Sequence, residues 1–168
     1  YEVKDPAVIS QLVELVTKEG KSPKTEFVGK SAKYILDKIG ITVGDDVKVI
    51  LMEAKEDHPF VQVELMMPIL PLVRVPDVDQ AIEMAVRVEH GNRHTAMMHS
   101  RNVEKLTKMA KLIQTTIFVK NGPSYAGIGV GGEGYTTFTI AGPTGEGLTS
   151  AKSFARRRRC VLVGGMDV

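Results

Sequence analysis

Apolar side chains recur at three- and four-residue spacing in some stretches of this chain and run together in others. Val8, Leu12, Leu15 and Val16, with Glu19 behind them, fit a helix with one apolar stripe. Asp5 stands where a cap belongs, Pro6 at the first helical position, and Gly20 can end the helix. Residues 21–24 read as a loop. Ser31 predicts the start of a second helix, with Ala32, Ile35, Leu36 and Ile39 on one face and Gly40 closing it. Residues 47–52, VKVILM, and 69–75, ILPLVRV, are strand-length apolar runs. Pro71 confines the second to an edge or an irregular position, because it has no N–H to give a ladder. Residues 77–80, D-V-D-Q, resemble a capping box that opens a helix through Ile82, Ala85, Val86 and Glu89, stopped at Gly91. Short strands are predicted at 94–100, 115–119 and 135–140. Asn102 caps a helix through Leu106, Met109 and Ile113, residues 150–157 read as helix, and 160–163 as strand.

Helices alternating with strands predict an α/β architecture with a largely parallel or mixed sheet. There is no internal repeat and no linker to separate two domains. At 168 residues the chain suits one domain and can bury roughly 70% of its unfolded surface. The net charge of +2 does not call for a polyanionic partner, because much of the excess is local to Arg156–Arg159. The single cysteine, Cys160, excludes an intramolecular disulfide and a cysteine metal cluster, and fits a reducing compartment. No apolar run approaches the ~20 residues that span a bilayer. The start, YEVKDPAV, has no signal-peptide pattern and no Met, so the chain is expected to be a piece of something longer.

The glycine-rich run from 121 to 151 carries only Glu133 and Glu146 as charges, and suggests backbone built for close approach. Residues 127–132 satisfy G-x-G-x-x-G, but a predicted strand follows where a dinucleotide fold needs a helix. Residues 142–149 nearly match a phosphate-binding loop, but Leu148 stands in the lysine position and Glu146 puts negative charge in the cradle. Residues 134–139 faintly echo an RNA-recognition strand, yet aromatic content is too low for stacking platforms. The arginines suit ion pairing between subunits or phosphate contacts. His90, His94 and His99 lack the spacing of a metal site, so none is expected, and they read as structural, with His58 in a turn. Cys160 reads as structural. Glu64 is a lone carboxylate among Val61, Val63, Leu65, Met66 and Met67. It is either exposed at a turn or an acceptor for ligand hydroxyls.

Four segments together resemble one family. They are HPFVQVELMMPILP (58–71), HTAMMHS (94–100), TIFVKNGPSYAGIGVGGEGYTTFTI (116–140), and PTGEGLTSA with FARRRRCVLV within 143–163. They resemble the CoA-acylating aldehyde dehydrogenases, nearest to the ethanolamine- and propanediol-utilisation type of bacterial microcompartments. The resemblance spans essentially the whole chain. It implies an aldehyde-dehydrogenase-like catalytic domain, an open twisted sheet with helices on both faces, without the N-terminal cofactor domain. Residues 1–154 would be part of that domain and 155–168 a C-terminal oligomerisation segment.

The family's reaction oxidises a short aldehyde, acetaldehyde or propionaldehyde, with NAD and passes the acyl group to coenzyme A through a cysteine thioester. The resemblance places that nucleophilic cysteine upstream of the matched region. Cys160 does not match it, no residue here is expected to be catalytic, and the isolated chain is expected to be inactive. Glu64 matches the glutamate of E-x-x-x-P that hydrogen-bonds the nicotinamide ribose, and Met66 takes the place of the family's usual aromatic. Residues 125–132 match the wall of the substrate tunnel, with Ile128 and Gly129 as acyl-pocket residues. Residues 160–163 match the strand that pairs with a neighbouring subunit. The implied partners are the aldehyde, CoA, copies of the same chain in a dimer or tetramer, and a microcompartment shell, in or out of which the enzyme would be cytoplasmic. The competing reading is a non-catalytic nucleotide- or RNA-binding, or oligomerisation, module using Arg156–Arg159.

Overall fold

Asp5 caps the first helix by accepting the Ala7 N–H at 2.8 Å, and Pro6 begins it, so α1 runs Pro6–Val16. In the computed structural model, which describes residues 1–132, 140–141, 147–161 and 163–164, α1 is shorter than its stripe predicts. The Thr17 hydroxyl donates back to the Val13 carbonyl at 2.6 Å, and its oxygen accepts the Gly20 N–H at 3.1 Å. The chain thereby leaves the helix into β2 (Thr17–Lys18), paired antiparallel with β3 (Ser22–Pro23). Gly20 turns this hairpin with φ +69° after Glu19 at +52°, rather than ending the helix, and the predicted loop at 21–24 holds a short strand. Ser31 caps α2 (Ala32–Asp37) through the Tyr34 N–H at 3.2 Å. Ala32, Ile35 and Leu36 are buried on the predicted face.

The chain divides into two units, Tyr1–Val88 and Glu89–Val168, where the sequence marks no linker. In the first, β1 (Glu2–Val3), β4 (Ile50–Glu53) and β5 (Ile69–Leu72) form a parallel sheet in the order β1-β4-β5. The β4 ladder starts at Ile50, whose N–H donates to the Pro68 carbonyl at 2.8 Å, so the strand begins later than the apolar run. Pro71 sits on the outer strand of this sheet, opposite Met52, where its missing N–H costs least. Leu12, Val16, Ile35, Leu36, Ile50 and Met52 have no exposed surface, and each such burial stabilises by roughly 1.5–3 kcal/mol. Helix α3 (Pro59–Gln62) precedes β5, and α4 (Val78–Val88) follows it. Asp77 accepts the Gln80 N–H at 2.9 Å, and the Gln80 amide returns to the Asp77 carboxylate at 3.0 Å rather than to the backbone.

In the second unit β6 (Thr95–Met98) and β7 (Ile117–Lys120) pair in parallel, with α5 (Val103–Ile113) as the crossover. Asn102 caps α5 by accepting the Lys105 N–H at 3.0 Å. Leu106, Met109, Ile113, Ile117 and Val119 are buried. A 3-10 turn follows at Ser124–Ile128, then β8 (Ile140–Ala141) paired antiparallel with β9 (Gly147–Leu148). The predicted strand at 135–140 lies outside the described residues except at Ile140, as do Glu133, Glu146 and most of the phosphate-loop-like stretch. The helix predicted at 150–157 is one 3-10 turn, Ala151–Phe154, closed by reciprocal Ser150 and Ser153 bonds. Cys160, Val161 and Val163 carry no strand and are exposed, because an isolated apolar segment without a neighbouring strand has no ladder to join.

Candidate functional site

The approach to Glu64 is built from its N-terminal side. His58, predicted as a turn residue, is the N-cap of α3: its Nδ1 accepts the Phe60 N–H at 3.1 Å, and its ring packs edge-on to Phe60 at 5.2 Å. Burial holds the His58 imidazole below its ordinary value, against the opposing pull of Asp57. The Gln62 side chain donates to the Glu56 carbonyl at 2.6 Å, and Val63 closes α3 in extended conformation. Beyond it the chain alternates. Leu65 is buried at 6% exposure, whereas Glu64 and Met66 are both exposed, Met66 at 57%. Leu65 is thus held inward while its two neighbours stay at the surface.

Met66 then adopts φ +54°, a left-handed conformation that is costly for a side chain of this size. The strained turn is tied down by the Gly29 N–H, which donates to the Met66 carbonyl at 3.0 Å, and by the Ile69 N–H to the Met67 carbonyl at 2.8 Å. Beside this turn a surface cleft of about 460 Å³ runs past Gly29, Lys30, Lys48, Met66 and Pro68. Its rim carries the Lys33–Asp45 ion pair at 3.0 Å, which raises the Lys33 pKa through the Asp45 hydrogen bond. Glu64 does not line the cleft. An exposed carboxylate can accept from vicinal hydroxyls, and an exposed thioether beside it can lie against a flat ring. The exposure of Glu64 is common to both readings of it, a carboxylate exposed at a turn and an acceptor for ligand hydroxyls.

Ile128 and Gly129 belong to the second unit. Ile128 ends the 3-10 turn half-buried, and Gly129 follows at φ +86°. The glycines around them explain part of the run's composition. A Cβ on Gly127 would collide with the Ile117 side chain on β7, and one on Gly132 would meet the Ala126 carbonyl at 2.8 Å. Among the described residues, then, the backbone that this run approaches is its own strand and turn. Asn121, which no motif singled out, opens the run: its Oδ1 accepts the Ser100 N–H at 2.7 Å and its Nδ2 donates to the Ser100 carbonyl at 2.9 Å.

The remaining candidates disperse. The His94 Nδ1 lies 2.6 Å from the Thr95 hydroxyl, and the His94 backbone N–H donates to the Glu89 carboxylate at 3.3 Å. Among the described residues no group of three or more His, Cys, Asp or Glu could hold a metal ion. No helix among them is long and apolar enough to cross a membrane. Cys160 is exposed, and Arg156–Arg159 are exposed beside it.

The family model for the aldehyde dehydrogenase family matches residues 47–145, more than half of the chain. Propanal dehydrogenase (CoA-propanoylating) of Salmonella typhimurium is 51% identical over 164 residues, covering 97% of this chain and 35% of that protein. A crystal structure of Rhodopseudomonas palustris propionaldehyde dehydrogenase, with bound CoA and an acylated cysteine, superposes with a TM-score of 0.91 at 72% identity, over 96% of this chain and 37% of that one. A propionaldehyde dehydrogenase from the Clostridium phytofermentans fucose utilisation bacterial microcompartment does so with a TM-score of 0.87 at 49% identity, over 96% and 37%. The chain spans about a third of the length of the relatives it matches.

Proposed function

This chain belongs to the aldehyde dehydrogenase family, and from that premise we propose that it is the later part of the catalytic domain of a CoA-acylating enzyme. The whole protein converts a short-chain aldehyde, acetaldehyde or propionaldehyde, with CoA and NAD into acyl-CoA, NADH and a proton. Similarity to a CoA-propanoylating dehydrogenase over nearly the whole chain supports the reaction class. The observation that carries the assignment within this chain is the anchored loop that holds Leu65 inward and turns Glu64 and Met66 outward. Glu64 accepts the hydroxyls of the nicotinamide ribose, and Met66 supplies an apolar surface beside the ring. When bound there, NAD supplies the hydride acceptor. Ile128 and Gly129 limit the space open to the aldehyde's alkyl group. The nucleophilic cysteine comes from outside this chain, whose single cysteine, Cys160, lies beyond the matched residues 47–145.

Residues 1–154 supply the part of the catalytic domain, and residues 155–168 are a segment that pairs with a neighbouring subunit in a dimer or tetramer. Similarity to a microcompartment enzyme supports a cytoplasmic protein that works within such a compartment and meets its shell. The test is NADH formation by the full-length protein with aldehyde and CoA. Glu64→Gln should raise the KM for NAD about tenfold while leaving that for CoA within about twofold, as expected for one lost charge-assisted contact. The isolated 168-residue chain should form no NADH. Turnover by that chain alone would place the nucleophile within it and overturn this division of labour.

A further inference from the structure

We propose that Asn121 is a positioning residue for aldehyde selection. Its side-chain amide stands in for the next rung of the β6–β7 ladder and thereby sets the direction in which the loop carrying Ile128 and Gly129 leaves the sheet. This inference rests on the reading of that loop as the acyl-pocket wall. The main-chain ladder pairs Thr95 with Ile117 through Met98 with Lys120, and its last bond runs from the Asn121 N–H to the Met98 carbonyl at 3.0 Å. At Asn121 itself φ is +55°, so the backbone swings off the sheet. Two residues beyond the end of β6, Ser100 still presents an N–H and a carbonyl. The Asn121 amide meets both, at 2.7 and 2.9 Å, because a side-chain amide offers the same donor and acceptor as a peptide group.

Two more features make the direction specific. Asparagine tolerates the left-handed conformation better than most side chains, so one residue ends the ladder and satisfies it. Gly122 then passes Val119 where a Cβ would lie 3.3 Å from that side chain, and Gly127 returns against Ile117. Ser100 is also joined to the helix that follows, since its hydroxyl accepts the Asn102 N–H at 3.0 Å and Asn102 caps α5. The strand end, the helix start and the loop start therefore share one anchor, and the loop's departure angle depends on the Asn121 clamp. Loss of the clamp frees Ile128 to shift relative to the alkyl group of the substrate.

The experiment compares full-length wild-type enzyme with Asn121→Gly and Asn121→Asp. Glycine keeps the left-handed backbone at no steric cost and deletes both side-chain bonds. Aspartate keeps the acceptor for the Ser100 N–H but turns an oxygen toward the Ser100 carbonyl. Initial rates are measured with propanal and with pentanal. For Asn121→Gly the ratio of kcat/KM between the two aldehydes should change about fivefold, chiefly through KM for aldehyde, with KM for CoA within about twofold of wild type. Asn121→Asp should fall between. An unchanged ratio, with kcat lowered only in step with thermal stability in both variants, would assign Asn121 to the scaffold and overturn the proposal. Failure of the wild-type enzyme to form acyl-CoA at all would remove the functional reading itself, and is seen before any variant is compared.

Discussion

At the scale of single residues, His58 and Met66 each do something their neighbours in sequence do not announce. His58 is bound through Nδ1 to the Phe60 N–H, so its cap requires the neutral ring, and burial also favours the neutral form. The unfolded chain therefore takes up a proton more readily than the fold does. The stability contributed by His58 is fully present above its unfolded pKa of about 6.5. It is lost as the pH falls from there toward the lower folded value. His58→Asn keeps a side-chain acceptor for the Phe60 N–H without titrating in this range, so the thermal midpoint of that variant should vary less between pH 7 and pH 5. His58→Ala should cost about 1 kcal/mol at pH 7, read from denaturant unfolding. Met66 shows the opposite relation. Its left-handed backbone and exposed side chain are unfavourable locally, and the buried Leu65 and the Gly29 bond hold them in place.

At the scale of elements, cap residues could be read directly, because Asp5, Ser31 and Asn102 each act through a side-chain bond within three residues. Strand limits could not, because they are set by a partner the local pattern does not contain. The run at 47–52 looks like a strand throughout, yet pairing begins only where Pro68 can accept from Ile50. The same limit applied to the candidate site. Glu64 stands out as a candidate because a lone carboxylate among apolar residues is conspicuous, whereas Asn121 is an ordinary polar residue until Ser100 is placed opposite it. The glycine run belongs here too. Gly127 lies against Ile117, a buried β-branched residue with little freedom to move. Gly127→Ala should therefore destabilise the second unit by about 1–3 kcal/mol through overpacking, measured as a lowered midpoint of thermal or denaturant unfolding.

At the scale of the molecule, the alternation of helices and strands identified an α/β chain, but not its division at Val88. Each unit has buried apolar residues of its own, and the boundary falls just after a regular helix, α4, rather than in a composition-marked linker. Family membership gives this division its setting, since the chain is about a third of its relatives' length. The terminal arginines bear on how the molecule survives handling. Residues 155–161 hold neither helix nor strand and are exposed, and four of them in succession are arginine. Backbone of that kind is open to cleavage, and a trypsin-like protease cuts after arginine. Brief digestion should therefore clip the chain here first, seen by intact mass. The same digestion of the full-length protein should slow where a neighbouring subunit covers the segment, so the clipping rate becomes a simple gauge of assembly.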